Sequence, residues 1–129
     1  MTINFDSALG IHPQVLALRE KRGEMLAANM ANADTPGYKA RDLDFKSVLK
    51  QNMQLAQPME RTQANHFATQ RSFEAHTMYR NPTQASLDGN TVEANVEQAK
   101  YAENAVEYQA SLQFIGSKFS GLMMALRGQ

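Results

Sequence analysis

The sequence predicts a mainly α-helical chain, in which N- and C-terminal heptad helices pair as an α-helical coiled coil, with an extended or weakly ordered middle segment between them. Apolar residues at alternating spacings of four and three near both ends of the chain support the two helices. Residues 50–85 are polar and keep neither a helical nor a strand period, so they predict weak order with at most a short β-hairpin within residues 65–79. The predicted segments are therefore 1–34, 35–49, 50–85 and 86–129, with both termini forming one core domain.

The N-terminal segment predicts a short helical turn at residues 4–9 and a main helix from about Pro13 to Ala33. Proline is tolerated in the first turn of a helix and is unfavourable further in. One face of this helix carries a continuous seam, which we call the N-terminal seam: Ile11, Val15, Leu18, Arg22, Met25, Asn29 and Asn32. Its apolar members, Ile11, Val15, Leu18 and Met25, are the expected packing residues of this helix.

A strong turn signal, Thr35-Pro36-Gly37-Tyr38, follows this helix. Proline in the second position and glycine in the third fit a type II turn, because Pro36 fixes a negative φ and Gly37 supplies a positive one. Since the residue before a proline disfavours helical geometry, the helix is expected to end near residues 33–34. An extended stretch is then predicted from Tyr38 to residue 49.

The C-terminal segment predicts a long helix that begins at Asn90 and continues to about Arg127. Asn90 is a favourable N-cap residue, and Glu93 lies three positions later, as in a capping box. The main apolar seam of this helix, which we call the C-terminal seam, consists of Tyr101, Ala105, Tyr108, Leu112, Ile115, Phe119, Leu122 and Leu126. A second stripe, offset from it, consists of Val92, Val96, Ala99 and Val106. Because a helix with one neighbour needs one stripe, this helix is expected to contact more than one.

The charged residues of the C-terminal helix are most simply interpreted as a solvent-exposed face. They include Glu97, Lys100, Glu103 and Glu107. Lys100 lies three residues after Glu97, a spacing that allows a weak ion pair on the helix surface.

Composition argues against several classes of function. Lysine plus arginine and aspartate plus glutamate number 13 each, so no basic excess exists to hold a nucleic-acid backbone. The chain has no cysteine, which excludes disulfides and thiolate zinc sites, and its histidines, His12, His66 and His76, lack the spacing of a metal site. The sequence contains no phosphate-binding glycine loop and no nucleophile motif. We therefore expect no catalytic, metal-binding or cofactor-binding residue, no small-molecule substrate and no enzymatic activity.

The apolar stripes predict other protein chains as neighbours. Two helices that pair through one seam each would leave the remaining stripes exposed. A head-to-tail contact between such chains that does not close produces a helical assembly. The N-terminus lacks the basic and apolar regions of a cleavable secretory signal, and no apolar run reaches the roughly 20 residues that span a bilayer.

The stretch ANMANADTPGYKARDLDF, residues 28–45, resembles the signature of bacterial flagellar rod and hook proteins, ANxANxxTPGY. The matching positions are Ala28, Asn29, Ala31, Asn32, Thr35, Pro36, Gly37 and Tyr38. The continuation KARDLDF and the stretch SLDGNTVEANVEQAKYAENAVEYQASLQFIGSKF, residues 86–119, resemble the proximal rod type, the FlgB family. The resemblance covers residues 3–49 and 79–128.

This resemblance implies a structural subunit of the proximal rod of the flagellar basal body, polymerising through its terminal helices in the drive shaft that transmits torque. It implies delivery by the flagellar type III export apparatus without signal cleavage, and a location in the rod that crosses the periplasmic space. The implied partners are other rod proteins, the adaptor protein at the rod base, the membrane-embedded ring, the export gate and further copies of the chain. The assembly motif that the resemblance assigns consists of Asn29, Asn32, Thr35, Pro36, Gly37 and Tyr38.

One alternative uses the same exposed heptads. It is a soluble helical adaptor or export chaperone that binds a flagellar or secretion-system partner. The Thr35–Tyr38 turn and the two-sided C-terminal helix favour the rod subunit.

Two amides occupy positions of the N-terminal seam where apolar residues would be expected, namely Asn29 and Asn32. A buried amide at a seam position lowers stability but fixes the register of packing. We therefore expect both amides to hydrogen-bond to the C-terminal helix or to a neighbouring subunit. On the same reasoning, Asn29→Leu is expected to raise helix stability while impairing assembly.

Overall fold

A computed structural model describes residues 8–54 and 77–128 of the chain. Within these ranges the elements are α1 (His12–Ala31), β1 (Arg41–Leu43), α2 (Phe45–Gln54), β2 (Thr77–Tyr79) and α3 (Ala94–Arg127). The two strands pair antiparallel, with Asp42 opposite Met78. The predicted fold class is confirmed, because the chain is mainly helical, its terminal helices are in contact and its middle contributes a short two-stranded sheet.

Helices α1 and α3 pack against each other in antiparallel directions. Asn29, near the end of α1, contacts Glu97 near the start of α3, whereas His12, at the start of α1, lies against Phe114 further along α3. The 20 residues of α1 and the 34 residues of α3 give lengths of roughly 30 Å and 50 Å. The last turns of α3, after Phe114, therefore extend beyond the start of α1.

The start of α3 differs from the predicted one, because the helix begins at Ala94 rather than at Asn90. Glu93, with an extended backbone, is its N-cap residue, so the capping-box prediction is wrong. Asn90 instead donates hydrogen bonds from its side-chain amide to the carbonyls of Asn32 and Ala33, at 3.3 and 2.6 Å. The residue that predicted a helix start therefore stabilises the end of α1.

The extended stretch predicted to reach residue 49 is shorter than expected and ends at Asp44. Asp44 caps α2: its carboxylate accepts a hydrogen bond from the backbone N–H of Ser47 at 3.2 Å, and its carbonyl accepts one from the Ser47 hydroxyl at 3.1 Å. The bond from the Ser47 backbone is the main reason why the pKa of Asp44 is lowered. Helix α2 also contributes to the small buried core, which consists of Leu18, Leu43 and Val48.

Two predicted features lie largely outside the described residues. The hairpin expected within residues 65–79 is described only at Thr77–Tyr79, and this strand pairs with β1. The helical turn expected at residues 4–9 falls mostly before residue 8.

No helix within residues 8–54 and 77–128 combines the length and the hydropathy needed to cross a bilayer. In the same ranges, no group of three or more histidine, cysteine, aspartate or glutamate side chains is placed to hold a metal ion.

Candidate functional site

The Thr35–Tyr38 turn lies against the loop that precedes α3. The backbone N–H of Tyr38 donates to the carbonyl of Thr35 at 3.3 Å, and Gly37 has a φ of 72°, as a type II turn requires. The N–H of Gly37 donates to the carbonyl of Asp88 at 3.0 Å, and the N–H of Thr91 donates to the carbonyl of Tyr38 at 3.0 Å. The turn therefore fixes the loop before α3 beside the end of α1.

Two glycines with positive φ meet at this contact. Gly89 has a φ of 74°, and a Cβ built on it would lie 3.9 Å from the Cα of Gly37. A side chain at either position would be strained, because L-residues rarely adopt this backbone conformation. Lys39 adds a hydrogen bond from Nζ to the carbonyl of Gly89 at 2.7 Å. A hydrogen bond from the Ser86 hydroxyl is the main reason why the pKa of Asp88 in this loop is lowered.

Asn29 is fully buried and joins α1 to both β1 and α3. Its Nδ2 donates to the carbonyl of Arg41 at 2.7 Å and to the carboxylate of Glu97 at 2.9 Å. Its Oδ1 accepts a hydrogen bond from the backbone N–H of Arg41 at 3.1 Å. The expected hydrogen bond from this amide to the C-terminal helix is therefore present.

Asn32 has a different environment. Its Nδ2 donates to the carbonyl of Ala28 in its own helix at 2.8 Å, and its Oδ1 accepts a hydrogen bond from the Thr35 hydroxyl at 3.2 Å. Among the described residues, then, this side chain makes no hydrogen bond to the C-terminal helix, and the predicted alternative, a bond to a neighbouring subunit, stays a prediction. The loop before α3 instead contacts the backbone of Asn32, because the side-chain amide of Asn90 donates to the Asn32 carbonyl.

Glu97 is at the centre of a buried ion-pair network, so its assignment to a solvated face is wrong. Its side chain is 1% exposed and pairs with the guanidinium of Arg80, which follows β2. Arg80 also donates to the carboxylate of Asp42 at 2.6 Å, and Arg22 of α1 donates to the same carboxylate at 3.1 Å. Burial raises the pKa of Asp42, but hydrogen bonds from Arg22, the Leu43 N–H and Arg80 outweigh it, so the pKa is lowered. We call this set the polar junction: Arg22, Asn29, Asp42, Arg80 and Glu97.

Polar and small residues also line the rest of the contact between α1 and α3. Asn104 is buried and donates to the carbonyl of Arg19 at 2.9 Å. Gly23 leaves room for it, because a Cβ at that position would lie 3.3 Å from the Nδ2 of Asn104. Arg19 pairs with Glu107 and lies over the ring of Phe45, 4.7 Å from the ring centroid. Glu107 therefore also departs from the predicted solvated face.

The C-terminal seam flanks this contact instead of forming its centre. The buried residues of α3 are Glu97, Asn104 and Ser111, each one heptad from the next. The seam is rotated from this line by roughly 40–100° about the helix axis. Its more exposed members, with 43–81% of their surface accessible, are Tyr101, Leu112, Phe119 and Leu126. Its half-buried members are Tyr108, Ile115 and Leu122.

Two apolar members of the N-terminal seam pack against residues of β1 and α2. Leu18 packs with Leu43 and Val48 in the buried core, and Met25 lies against that core. The remaining apolar members, Ile11 and Val15, are half-buried. The terminal helices therefore pair as predicted, but polar residues, Asn29 of α1 with Glu97 and Asn104 of α3, are buried in the contact, and the apolar C-terminal seam flanks it.

Known proteins resemble this chain over its full length. A family model described as flagella basal body rod protein matches residues 16–39, which include most of α1 and the Thr35–Tyr38 turn. The chain is 47% identical to flagellar basal body rod protein FlgB of Aeromonas hydrophila, with 100% of this chain and 99% of the relative covered. It is 45% identical to FlgB of Cereibacter sphaeroides (97% and 98% covered) and 42% identical to FlgB of Salmonella typhimurium (99% and 99% covered). The chain belongs to the FlgB family of flagellar basal body rod proteins.

Proposed function

We propose that this chain, a structural subunit of the proximal rod of the flagellar basal body, joins its neighbours through the outward-facing apolar residues of α3. The observation that carries the proposal is the extent of that surface. Its large exposed residues are Val96, Tyr101, Val106, Leu112, Phe114, Phe119, Met123, Met124 and Leu126. Apolar surface of this extent marks contacts with other chains. Membership in a rod-protein family favours this role over that of a soluble adaptor or chaperone.

The exposed residues lie on more than one side of α3. Leu112 and Phe119 belong to the C-terminal seam, whereas Val96 and Val106 belong to the second stripe. One neighbouring helix covers one stripe. We therefore propose that α3 contacts at least two neighbours in the rod, as a subunit inside a tubular assembly does.

The polar junction supports this proposal by holding the helix pair in one arrangement. Asn29 and Glu97 are almost completely buried, and their hydrogen-bond partners come from three different segments of the chain. Buried polar groups of this kind add specificity of register more than net stability. We propose that Asn29 and the Thr35–Tyr38 turn set the angle at which the outer faces of the two helices are presented to neighbours.

The proposed neighbours are other rod proteins and further copies of this chain. At the base of the rod we propose contacts with the adaptor protein, the membrane-embedded ring and the export gate, after type III export without signal cleavage. The resemblance to the proximal rod type supports these partners. The last turns of α3 extend beyond the start of α1 and offer a surface for a neighbouring subunit.

Leu112→Asp and Phe119→Asp test the proposed interface. Both side chains are more than 40% exposed, so a carboxylate at either position meets solvent in the single chain. In an assembled rod the same carboxylate would be buried without a partner, which is strongly unfavourable. We expect purified variants to keep the helical content of the parent chain, and cells that carry either variant as their only copy to lack rods and motility.

Ala102→Asp is the matched control. It adds the same charge at an exposed position of α3 that belongs neither to the C-terminal seam nor to the second stripe. We expect cells with this variant to swim. Normal basal bodies and swimming in cells with Leu112→Asp or Phe119→Asp would show that the seam is not an assembly surface.

A further inference from the structure

We propose that the end of α3 from one copy, residues 116–127, lies in a groove between α1 and α3 of a second copy. This inference rests on the proposed function and names one contact by which subunits join. It follows from the shape of the groove, from the apolar face at the end of α3 and from the charges that the two surfaces carry.

The groove runs along one side of the contact between α1 and α3. Its small residues, Gly23, Ala27 and Ala105, allow close approach, and Tyr101 and Tyr108 line it along α3. The lining positions on each helix follow the spacing i, i+3, i+4, i+7, at 20, 23, 24 and 27 on α1 and at 101, 104, 105 and 108 on α3. Such rows are the ones against which a further helix packs. The groove therefore suits a helix with an apolar face.

The end of α3 is a helix of this kind. It extends beyond the start of α1, and its positions Phe119, Leu122, Met123 and Leu126 have the same i, i+3, i+4, i+7 spacing. Three of these side chains, Phe119, Met123 and Leu126, expose between 43% and 81% of their surface. This stripe continues the one that lines the groove nearer the start of α3. In the first half of α3 this face forms a wall of the groove. In the second half it has the residue spacing of a helix that packs into such a groove.

Charge favours a second copy as the occupant. Glu20 and Glu24 are exposed at the edge of the groove. After Glu107, in contrast, α3 has no acidic residue and carries Lys118 and Arg127. The acidic edge of the groove and the basic end of α3 therefore attract each other, whereas the acidic edges of two grooves repel each other.

One chain cannot place the end of its α3 in its own groove, because α3 is a continuous helix and forms one wall of that groove. Ala105 and Met123 are separated along α3 by roughly 27 Å at 1.5 Å per residue. The contact is therefore between copies and joins two different surfaces. A contact of this type leaves a free groove at one end and a free helix end at the other, so it can propagate.

A cysteine pair tests the contact, since the chain has no cysteine of its own. The double variant Ala105→Cys/Met123→Cys cannot close a disulfide within one chain, because a disulfide needs Cα atoms within about 7 Å. Basal bodies are isolated from cells that carry the variant as their only copy, treated with a mild oxidant and analysed on a non-reducing gel. We expect dimers and higher multimers of this chain from the double variant, and neither from Ala105→Cys or Met123→Cys alone.

Several results would overturn the inference. Dimers from Ala105→Cys alone would mean that two grooves face each other, and dimers from Met123→Cys alone would mean that two helix ends meet. A cross-link to a different rod protein would assign the groove to another occupant. Absence of cross-links in motile cells would overturn the inference and leave the proposed function intact, whereas absence of the parent chain from basal bodies would overturn the proposed function.

Charge reversal provides a second measurement that does not depend on the cysteines. We expect Glu20→Lys/Glu24→Lys and Lys118→Glu/Arg127→Glu each to reduce swimming by about tenfold or more, because each places like charges together at the contact. The combination of all four changes restores the attraction in the opposite sense and is expected to restore swimming. Failure of the combined variant to recover, with the purified chain folded, would contradict the contact.

Discussion

Replacing Asn29 by leucine tests the polar junction most sharply. The side chain is fully buried and makes three hydrogen bonds, two with the backbone of Arg41 and one with the carboxylate of Glu97. Leucine has a similar size but cannot donate or accept. The carbonyl and the N–H of Arg41 and the carboxylate of Glu97 therefore each lose a hydrogen-bond partner at a buried site.

The size of the effect follows from these contacts. A buried group left without its hydrogen bond costs about 1–3 kcal/mol, and more when the group is charged. The higher helix propensity of leucine offsets only about 0.5 kcal/mol of this loss of stability. We expect Asn29→Leu to lower the free energy of unfolding by about 3–5 kcal/mol, which is a large part of the roughly 5–15 kcal/mol typical of a domain. The contacts thus reverse the expectation from the seam pattern, in which leucine would raise stability.

Asn32→Leu is the matched control, because both amides belong to the same motif and the same helix. The Asn32 side chain bonds to Ala28 of its own helix and to Thr35, both at an exposed site where water can replace the lost partner. We expect a change below about 1 kcal/mol for this variant. Urea unfolding of the purified chains, followed by circular dichroism at the helix band, measures both values.

Equal urea midpoints for the two variants would refute the reasoning. A higher midpoint for Asn29→Leu than for the parent chain would show that the seam pattern, and not the observed set of contacts, governs this position. Amide hydrogen exchange at Arg41 gives an independent measure, because the N–H of Arg41 loses its acceptor only in Asn29→Leu.

Two further predictions concern the loop before α3 and the dependence of stability on pH. Asn90→Ala removes two hydrogen bonds to the end of α1 and is expected to lower the free energy of unfolding by about 1–3 kcal/mol, measured by urea unfolding; an unchanged midpoint would contradict this role. The lowered pKa of Asp42 means that its stabilisation is complete above the usual value of 3.8 and is lost as the pH falls through the lower folded pKa. We expect the unfolding midpoint of the parent chain to fall between about pH 4 and pH 2 and Asp42→Asn to show a shallower fall, whereas parallel curves would exclude a contribution from Asp42.

Local features were predictable from the sequence. The Pro36-Gly37 turn, the end of the first helix (at Ala31, two residues before the predicted Ala33) and the end of the last helix at Arg127 depend on residues close together in the chain. The helix α2 was also signalled, by Asp44 three residues before Ser47, but the alternation of polar and apolar residues before it favoured an extended stretch.

Features that depend on distant residues were not predictable. Glu97 has the spacing of a surface residue on α3, and its partner Arg80 follows a region in which no pattern persists. Asn90 has the sequence context of a helix N-cap, yet its amide is used by the end of α1, more than fifty residues earlier. A charged or amide residue shows its burial only when the segments that supply its partners are placed beside it.

The burial of Leu112 and Phe119 in the assembled rod, observed by electron cryomicroscopy of isolated basal bodies, tests the central claim most directly. We predict that both side chains, exposed in the single chain, lie against a neighbouring subunit while the contact between Asn29 and Glu97 is kept. A map in which this face of α3 has no protein neighbour would contradict the account.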